Sequence, residues 1–292
     1  MDLMGHTVDG RYAITYRIHV GGMATVYLAH DQFLRRSVVL KVLHPSLALA
    51  PAYVERFRRE ACIAAALSHP NLISVYNLGT YAGTHYIVME HVTGPSLGDS
   101  PRVSEVRALQ ITAQVAAALA AAHERGVIHR DIRSHNILLA AGEQVKVTDF
   151  GCAHTTGSCA TDPAQAAPGD MRHRPLDGQS DLYDLGLVLL EMLTSANMTG
   201  AAALSPSAWA ALRLSPGTDI IVRRALAPNA AHRFPTADAM RAAAEKALSQ
   251  VATGATNRPH SFPVREATHF ADSQPRIGLT GFFRPRPARL AS

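Results

Sequence analysis

The sequence predicts an α+β fold, with short strands and one helix in the first third of the chain and mostly helices thereafter. Three observations carry this. Runs rich in aromatic and β-branched residues recur at Tyr12–Ile18, Thr25–Ala29 and Ser37–Val42, each at strand length. An alanine-rich stretch from Val103 to Arg125 and an apolar run from Leu182 to Leu193 have helix length instead. Between them, Ile137-Leu138-Leu139 and Val145-Lys146-Val147 flank Gly142 as a hairpin.

Residues 1–10 read as a polar lead-in. Tyr12 to Ile18 is a strand running into Gly21-Gly22, Thr25 to Ala29 the returning strand and Ser37 to Val42 the third. A glycine turn over two strands can lay backbone N–H groups on phosphates, because glycine has no Cβ to hold them off. A plain hairpin turn fits the same residues. Lys41 is the only lysine before Lys146, and it sits in an apolar strand, where a buried ammonium needs a partner. Glu60 offers one, on a helix from about Pro51 to Leu67 that His69-Pro70-Asn71 brings to an end.

Leu72 to Val75 and Tyr86 to Met89 read as further strands, and Glu90-His91-Val92 as an extended connector. Thr93-Gly94-Pro95-Ser96 opens the second unit, so the division expected is 11–92 and 93–250. The run from Leu182 to Leu193 is apolar nearly all round, which marks a core helix, and Asp181 is placed to cap it. Asp219–Leu226 and Thr236–Leu248 are expected helices. Residues 251–292, rich in Pro, Gly, Thr and Arg without periodicity, are expected to be a disordered basic tail.

The chemistry gathers on the hairpin. Asn136 precedes its first strand and Asp149 follows its second, so the turn returns both side chains to one end. An amide oxygen and a carboxylate make a hard-oxygen site suited to Mg²⁺ (or Mn²⁺) and its bound phosphates. Asp131, five residues before Asn136, would stand beside it as acceptor for a hydroxyl proton.

Composition narrows the alternatives. The 292 residues are 47% hydrophobic, ample for a core, with a net charge of +5 and a pI near 9.3. Much of the basic excess lies in the tail, at Arg258, Arg265, Arg276, Arg284, Arg286 and Arg289. The basic residues do not interleave with aromatics, so no nucleic-acid surface is expected. Cys62, Cys152 and Cys159 give neither a disulfide framework nor zinc spacing, which suits a reducing cytoplasm. The Met1 end lacks a signal-like segment, and no apolar run reaches the roughly 18 residues a membrane span needs.

His129-Arg130-Asp131 with Asn136, then Asp149-Phe150-Gly151, resemble the catalytic and magnesium loops of the protein kinases, H-R-D-x-x-x-x-N and D-F-G. Gly-Gly-Met at 21–23, Arg-Phe-Arg-Arg-Glu at 56–60, His-Pro-Asn-Leu at 69–72, Ser-Asp-Leu-Tyr at 180–183 and Arg233-Phe234 resemble more closely the bacterial eukaryotic-like (Hanks-type) serine/threonine kinases. The resemblance spans residues 11–248. It implies a two-lobed fold, a small antiparallel-sheet N-lobe with one helix and a larger helical C-lobe, binding ATP and Mg²⁺ and acting on a protein substrate. It assigns Lys41 to the α- and β-phosphates and Glu60 to orienting Lys41. Asp131 and Arg133 fall in the catalytic loop, and Asn136 and Asp149 would be metal ligands. Gly21, Gly22, Val26, Val39 and Leu138 would contact the nucleotide, with Met89, Glu90 and Val92 along the hinge. The aspartate matching Asp181 holds the catalytic-loop backbone.

Several positions depart from the family pattern. His19 and Ala24 stand at the outer glycines of the phosphate loop, Val39 replaces the alanine above adenine, and Arg133 replaces a lysine. The segment after Gly151 is short, and Ala167-Pro168-Gly169 stands where the family has A-P-E. Arg233 thereby loses its family glutamate, and Asp170 or, second, Asp177 is the expected substitute, against the alternative of an Arg233 exposed to solvent. A phosphate on Thr155, Thr156, Ser158 or Thr161 could meet Arg130, against the alternative of an unmodified loop. A kinase is therefore weighed against a pseudokinase, a nucleotide-binding regulatory or scaffolding module that transfers weakly or not at all.

Overall fold

The computed structural model describes residues 2–100, 103–150, 154–155, 178–194 and 214–255. The first part is a six-stranded antiparallel sheet in the order β1-β2-β3-β4-β6-β5. Its strands are β1 (Thr7–Val8), β2 (Tyr12–Val20), β3 (Ala24–Asp31), β4 (Arg36–Leu43), β5 (Val75–Tyr81) and β6 (Thr84–Glu90), with helices α1 (Pro45–Ala48) and α2 (Pro51–Ala66) between β4 and β5. Alternation along β4 decides what faces what. Val38, Leu40 and Val42 turn to a core with Val8, Tyr12, Tyr27 and Tyr86, leaving Val39 and Lys41 for the opposite face. A smaller cluster of Ala24, Leu43, Phe57, Ala61 and Ile87 seats α2 on the sheet.

The second part holds α3 (Glu105–His123), β7 (Val127–Ile128), β8 (Ile137–Leu139), β9 (Val145–Val147), β10 (His154–Thr155), α4 (Gln179–Leu193), α5 (Pro216–Ala225) and α6 (Ala237–Ala255). Strands β8 and β9 pair as the expected hairpin, turning at Gly142 (φ +67°), a backbone angle that suits glycine. Helix α3 is capped by Ser104, whose hydroxyl accepts the Arg107 amide. Its Leu109, Val115 and Leu119 pack with Leu185 and Leu189 of α4 and Met240 and Ala244 of α6. The alanines at 108, 116, 118 and 122 are fully buried and let these helices approach closely.

Four expectations are corrected. The lead-in is not a detached segment: β1 pairs with β2, and Leu3 and Val8 are buried. Residues 72 and 73 do not join the sheet, although Ser74 O accepts the Glu90 amide of β6. Ile73 N donates to Val147 O and Val147 N to Asn71 O, so the stretch docks on β9, and the strand begins only at Val75. Asn77, Gly79 and Thr80 break the apolar pattern of β5, which can be polar because it is an edge strand. Asp181 does not cap α4; it lies inside the first turn, 0% exposed, with its carboxylate turned to the catalytic loop. Helix α6 runs to Ala255, five residues into the stretch expected to lack order, because Val251-Ala252 continue its alanine-rich pattern. Residues 256–292 lie outside the described residues.

Arg233 is buried, not directed into water. Its Nε donates to Ala227 O (2.8 Å) and its guanidinium to Pro228 O (3.2 Å), and it lies 4.7 Å from the Tyr183 ring centroid. Asp170 and Asp177, like Gly151, Cys152, Thr156, Ser158, Cys159, Thr161 and Ala167-Pro168-Gly169, lie outside the described residues.

Candidate active site

The loop from His129 to Asn136 is built before any ligand is considered. Asp181 accepts the backbone amides of His129 (2.9 Å) and Arg130 (2.7 Å), and His123 Nε2 lies 2.8 Å from the same carboxylate. His129 is fully buried. Its Nδ1 accepts the Asp131 amide (3.3 Å), which leaves Nε2 to donate to Thr148 O (3.1 Å). One imidazole thus spans from the loop to the strand end before Asp149, with the Phe150 ring 4.6 Å away. Arg130 (φ +68°) and Asp149 (φ +70°) both adopt left-handed backbone, a cost that functional sites tend to carry.

Asn136 donates its amide to Asp131 twice, to the backbone oxygen at 2.8 Å and to Oδ2 at 3.0 Å. This fixes the Asp131 carboxylate and leaves Asn136 Oδ1 as the amide atom available to a cation. Lys41, on β4, places Nζ 2.5 Å from Glu60 Oε1 on α2 and 2.9 Å from Asp149 Oδ1. Burial alone would lower the lysine pKa, but the two carboxylates outweigh it and hold it above its ordinary value. Burial lifts Glu60 above the usual carboxylate range against the pull of Lys41. Burial opposes ionisation of Asp149 too, yet the ammonium holds that group below the usual range. Asp149 therefore stays ionised, and Glu60 is the member of the trio that accepts a proton first.

A cleft of about 380 Å³ lies between sheet and loop. All the expected nucleotide contacts line it: Gly21, Gly22, Val26, Val39, Lys41, Met89, Glu90, Val92 and Leu138. Glu60, Asp131 and Asp149 line it as well, whereas Arg133 and Asn136 do not. Asn136, 1% exposed, meets the site through Asp131. Ile18, Met23, Arg56, Ile73, Gly94 and Thr148 also reach the cleft without an expected role, and His19, Ala24 and His91, already placed at the phosphate loop and the connector, reach it too. Arg56 had a legible signal, since it stands one helical turn before Glu60 on the same face. Both loop substitutions line the cleft, and Ala24 also packs with Leu43, Phe57, Ala61 and Ile87. A Cβ on Gly21 would lie 3.3 Å from Ala24 O, tight enough that the turn would have to yield by a few tenths of an ångström.

Comparison with known proteins agrees with this geometry. The serine/threonine-protein kinase PrkC of Bacillus subtilis is 36% identical over 264 residues, covering 82% of this chain and 41% of PrkC. The serine/threonine-protein kinase PknB of Mycobacterium tuberculosis is 38% identical over 272 residues, covering 83% of this chain and 43% of PknB. The chain thus spans less than half the length of these curated relatives. The crystal structure of the Mycobacterium tuberculosis PknI kinase domain superposes with a TM-score of 0.66 at 29% identity, over 85% of this chain and all of that one. Residues 12–229 match the model of the protein kinase domain, and the chain belongs to that family.

Proposed function

We propose that this chain transfers the γ-phosphoryl group of ATP to serine or threonine hydroxyls of a protein. The observation that carries the reading is the single ammonium of Lys41 held between Glu60 (2.5 Å) and Asp149 (2.9 Å) on the wall of one cleft with Asp131. In this reading Lys41 meets the nucleotide phosphates and Glu60 fixes the lysine. Gly21 and Gly22 approach the phosphates from above, and Val26, Val39, Met89 and Leu138 enclose the base. Glu90 and Val92 offer backbone groups to its edge. Asp131, oriented by Asn136, accepts the proton leaving the substrate hydroxyl, and Arg133 adds positive charge beside it.

The donor set fits a divalent cation. Asp149 is ionised, and Asn136 Oδ1 is left by the commitment of its amide nitrogen. Among the described residues no group of three or more His, Cys, Asp and Glu is arranged to hold a metal. Asp149 and Asn136 would therefore share Mg²⁺ (or Mn²⁺) with phosphate oxygens, as suits an ion that keeps few protein ligands. When bound, the ion neutralises phosphate charge.

The division at residues 92 and 93 into N-lobe and C-lobe belongs to the same reading. Among the described residues no helix is long and apolar enough to cross a membrane. A cytoplasmic location suits the free thiol of Cys62 and the use of ATP. The alternative is a module that binds nucleotide and transfers weakly or not at all. Transfer of radiolabelled phosphate from ATP to a generic protein substrate tests the choice. Wild type should label the substrate, and Asp131→Asn should lower the rate by about 10²–10⁴-fold, the range for a lost general base. ATP binding with no transfer by wild type would favour the module.

A further inference from the structure

The turn from Gly21 to Met23 is held by its neighbours more than by its own bonds. Gly21 N donates to Ala24 O at 2.9 Å, which closes the turn. Gly22, at the tip, is exposed, and nothing would meet a Cβ there within 4 Å. The other two contacts both come from His44. Its backbone amide donates to Met23 O at 3.0 Å, and its ring Nε2 lies 3.0 Å from Gly21 O. A carbonyl only accepts, so the ring carries its proton on Nε2. His44 therefore grips the turn at both ends while standing outside the cleft wall itself.

The other side of His44 leads to α2. Its carbonyl accepts the amides of Leu47 (2.9 Å) and Ala48 (3.0 Å) and so starts α1; the Ala50 amide then donates to Leu47 O, and Ala50 O receives the Tyr53 amide in the first turn of α2. Met23, Leu47 and Ala48 pack on the same cluster as Ala24 and Phe57. Resting on the kinase reading above, we propose that His44 is a positioning residue for ATP, tying the phosphate loop to the start of the helix that carries Glu60. A loop fixed before the nucleotide arrives loses less conformational freedom on binding. That matters here because only Gly21 and Gly22 are free of side chains, so the backbone must already stand at the right depth.

The test uses the whole chain and three proteins: wild type, His44→Ala and His44→Gln. Glutamine keeps an amide donor at about the reach of Nε2. Hydrogen exchange without nucleotide reads the grip directly. Exchange over residues 19–26 should quicken in His44→Ala and return toward wild type in His44→Gln. Steady-state transfer reads the consequence: the KM for ATP should rise about three- to tenfold in His44→Ala, the worth of one neutral hydrogen bond, with kcat within about twofold. His44→Gln should recover most of the KM. Unchanged exchange, or faster exchange with an unchanged KM, overturns the proposal. A wild-type protein that binds no MgATP and transfers nothing sinks the kinase reading instead, and the exchange result then still decides whether the grip exists.

Discussion

The Lys146 ammonium lies 3.0 Å from a carboxylate oxygen of Glu90, and that same oxygen accepts the Ser74 amide at 3.2 Å. Strand β9 carries Lys146 and leads directly into Thr148 and Asp149, while Glu90 begins the connector along the cleft. One ion pair, 12% and 22% exposed, thus fastens the approach to Asp149 to the connector. Lys146→Met should cost about 1–3 kcal/mol, because the Glu90 carboxylate loses its charged donor where water reaches it poorly. Chemical denaturation of Lys146→Met, Glu90→Gln and the double variant should give a coupling above about 0.5 kcal/mol. Additive variants would mean a solvated contact of no consequence.

Lys41→Met removes the cation between two carboxylates. Transfer should fall on the order of 10²-fold or more, since catalysis here is positioning and charge stabilisation. The fold should lose about 3–5 kcal/mol at alkaline pH, the usual cost of leaving a buried charge unpaired. The sign with pH follows from Glu60, whose pKa already stands above its ordinary 4.5 in the folded chain. Without Lys41 that value rises further, so the variant's deficit grows with rising pH and shrinks toward pH 4.5 as Glu60 takes a proton. Thermal melts across that range check it, and a pH-independent deficit would contradict the charge argument.

Arg11 grips Asp31 with two hydrogen bonds, Nε to Oδ1 at 2.9 Å and a terminal nitrogen to Oδ2 at 2.7 Å. The bond from Arg11 is the main reason the Asp31 pKa falls from 3.8 to about 2. A folded value below the unfolded one stabilises the chain above pH 3.8, and that stabilisation is lost as the pH falls through about 2. Asp31→Asn should flatten the acid limb of the stability curve between those values. A curve merely displaced downward, with the same slope, would assign the acid sensitivity elsewhere.

Gly94 has no room for a methyl group. A Cβ there would lie 1.6 Å from the Leu139 carbonyl oxygen, a backbone atom that cannot turn aside. Gly94→Ala should force the connector and β8 apart, destabilising the chain by about 1–3 kcal/mol. Because Gly94 also lines the cleft, the KM for ATP should rise with it. A variant as stable as wild type, with the same KM, would show that the two segments separate freely.

The residues that carry charge were legible in the sequence because each is an exception to its surroundings. Lys41 is an ammonium in an apolar strand, and Asn136 and Asp149 bracket a hairpin whose turn is marked by Gly142. What could not be read were bonds between segments distant in the chain. The three amide and imidazole partners of Asp181 lie more than fifty residues away, so the local pattern offered only a helix cap, and only the family resemblance pointed to the catalytic-loop backbone that Asp181 does hold. Leu72-Ile73 has the look of a sheet strand, but its hydrogen-bond partner, Val147, is supplied by the other part of the fold. His44 gave no signal at all, since its role depends on the turn that β3 and β4 bring beside it.

The family match begins at residue 12, yet the sheet begins at Thr7. Starting the chain at residue 12 would remove the buried Leu3 and Val8, the pairing of Val8 with Tyr12 and the acceptor Asp9 for the Tyr86 hydroxyl. Strand β2 would then be the outermost strand, with an unshielded row of amides and carbonyls along its rim. Such a rim pairs readily with another copy of itself. A shortened preparation should therefore come off a sizing column partly as larger species where the full chain does not, and self-association of that kind would be a product of the cut.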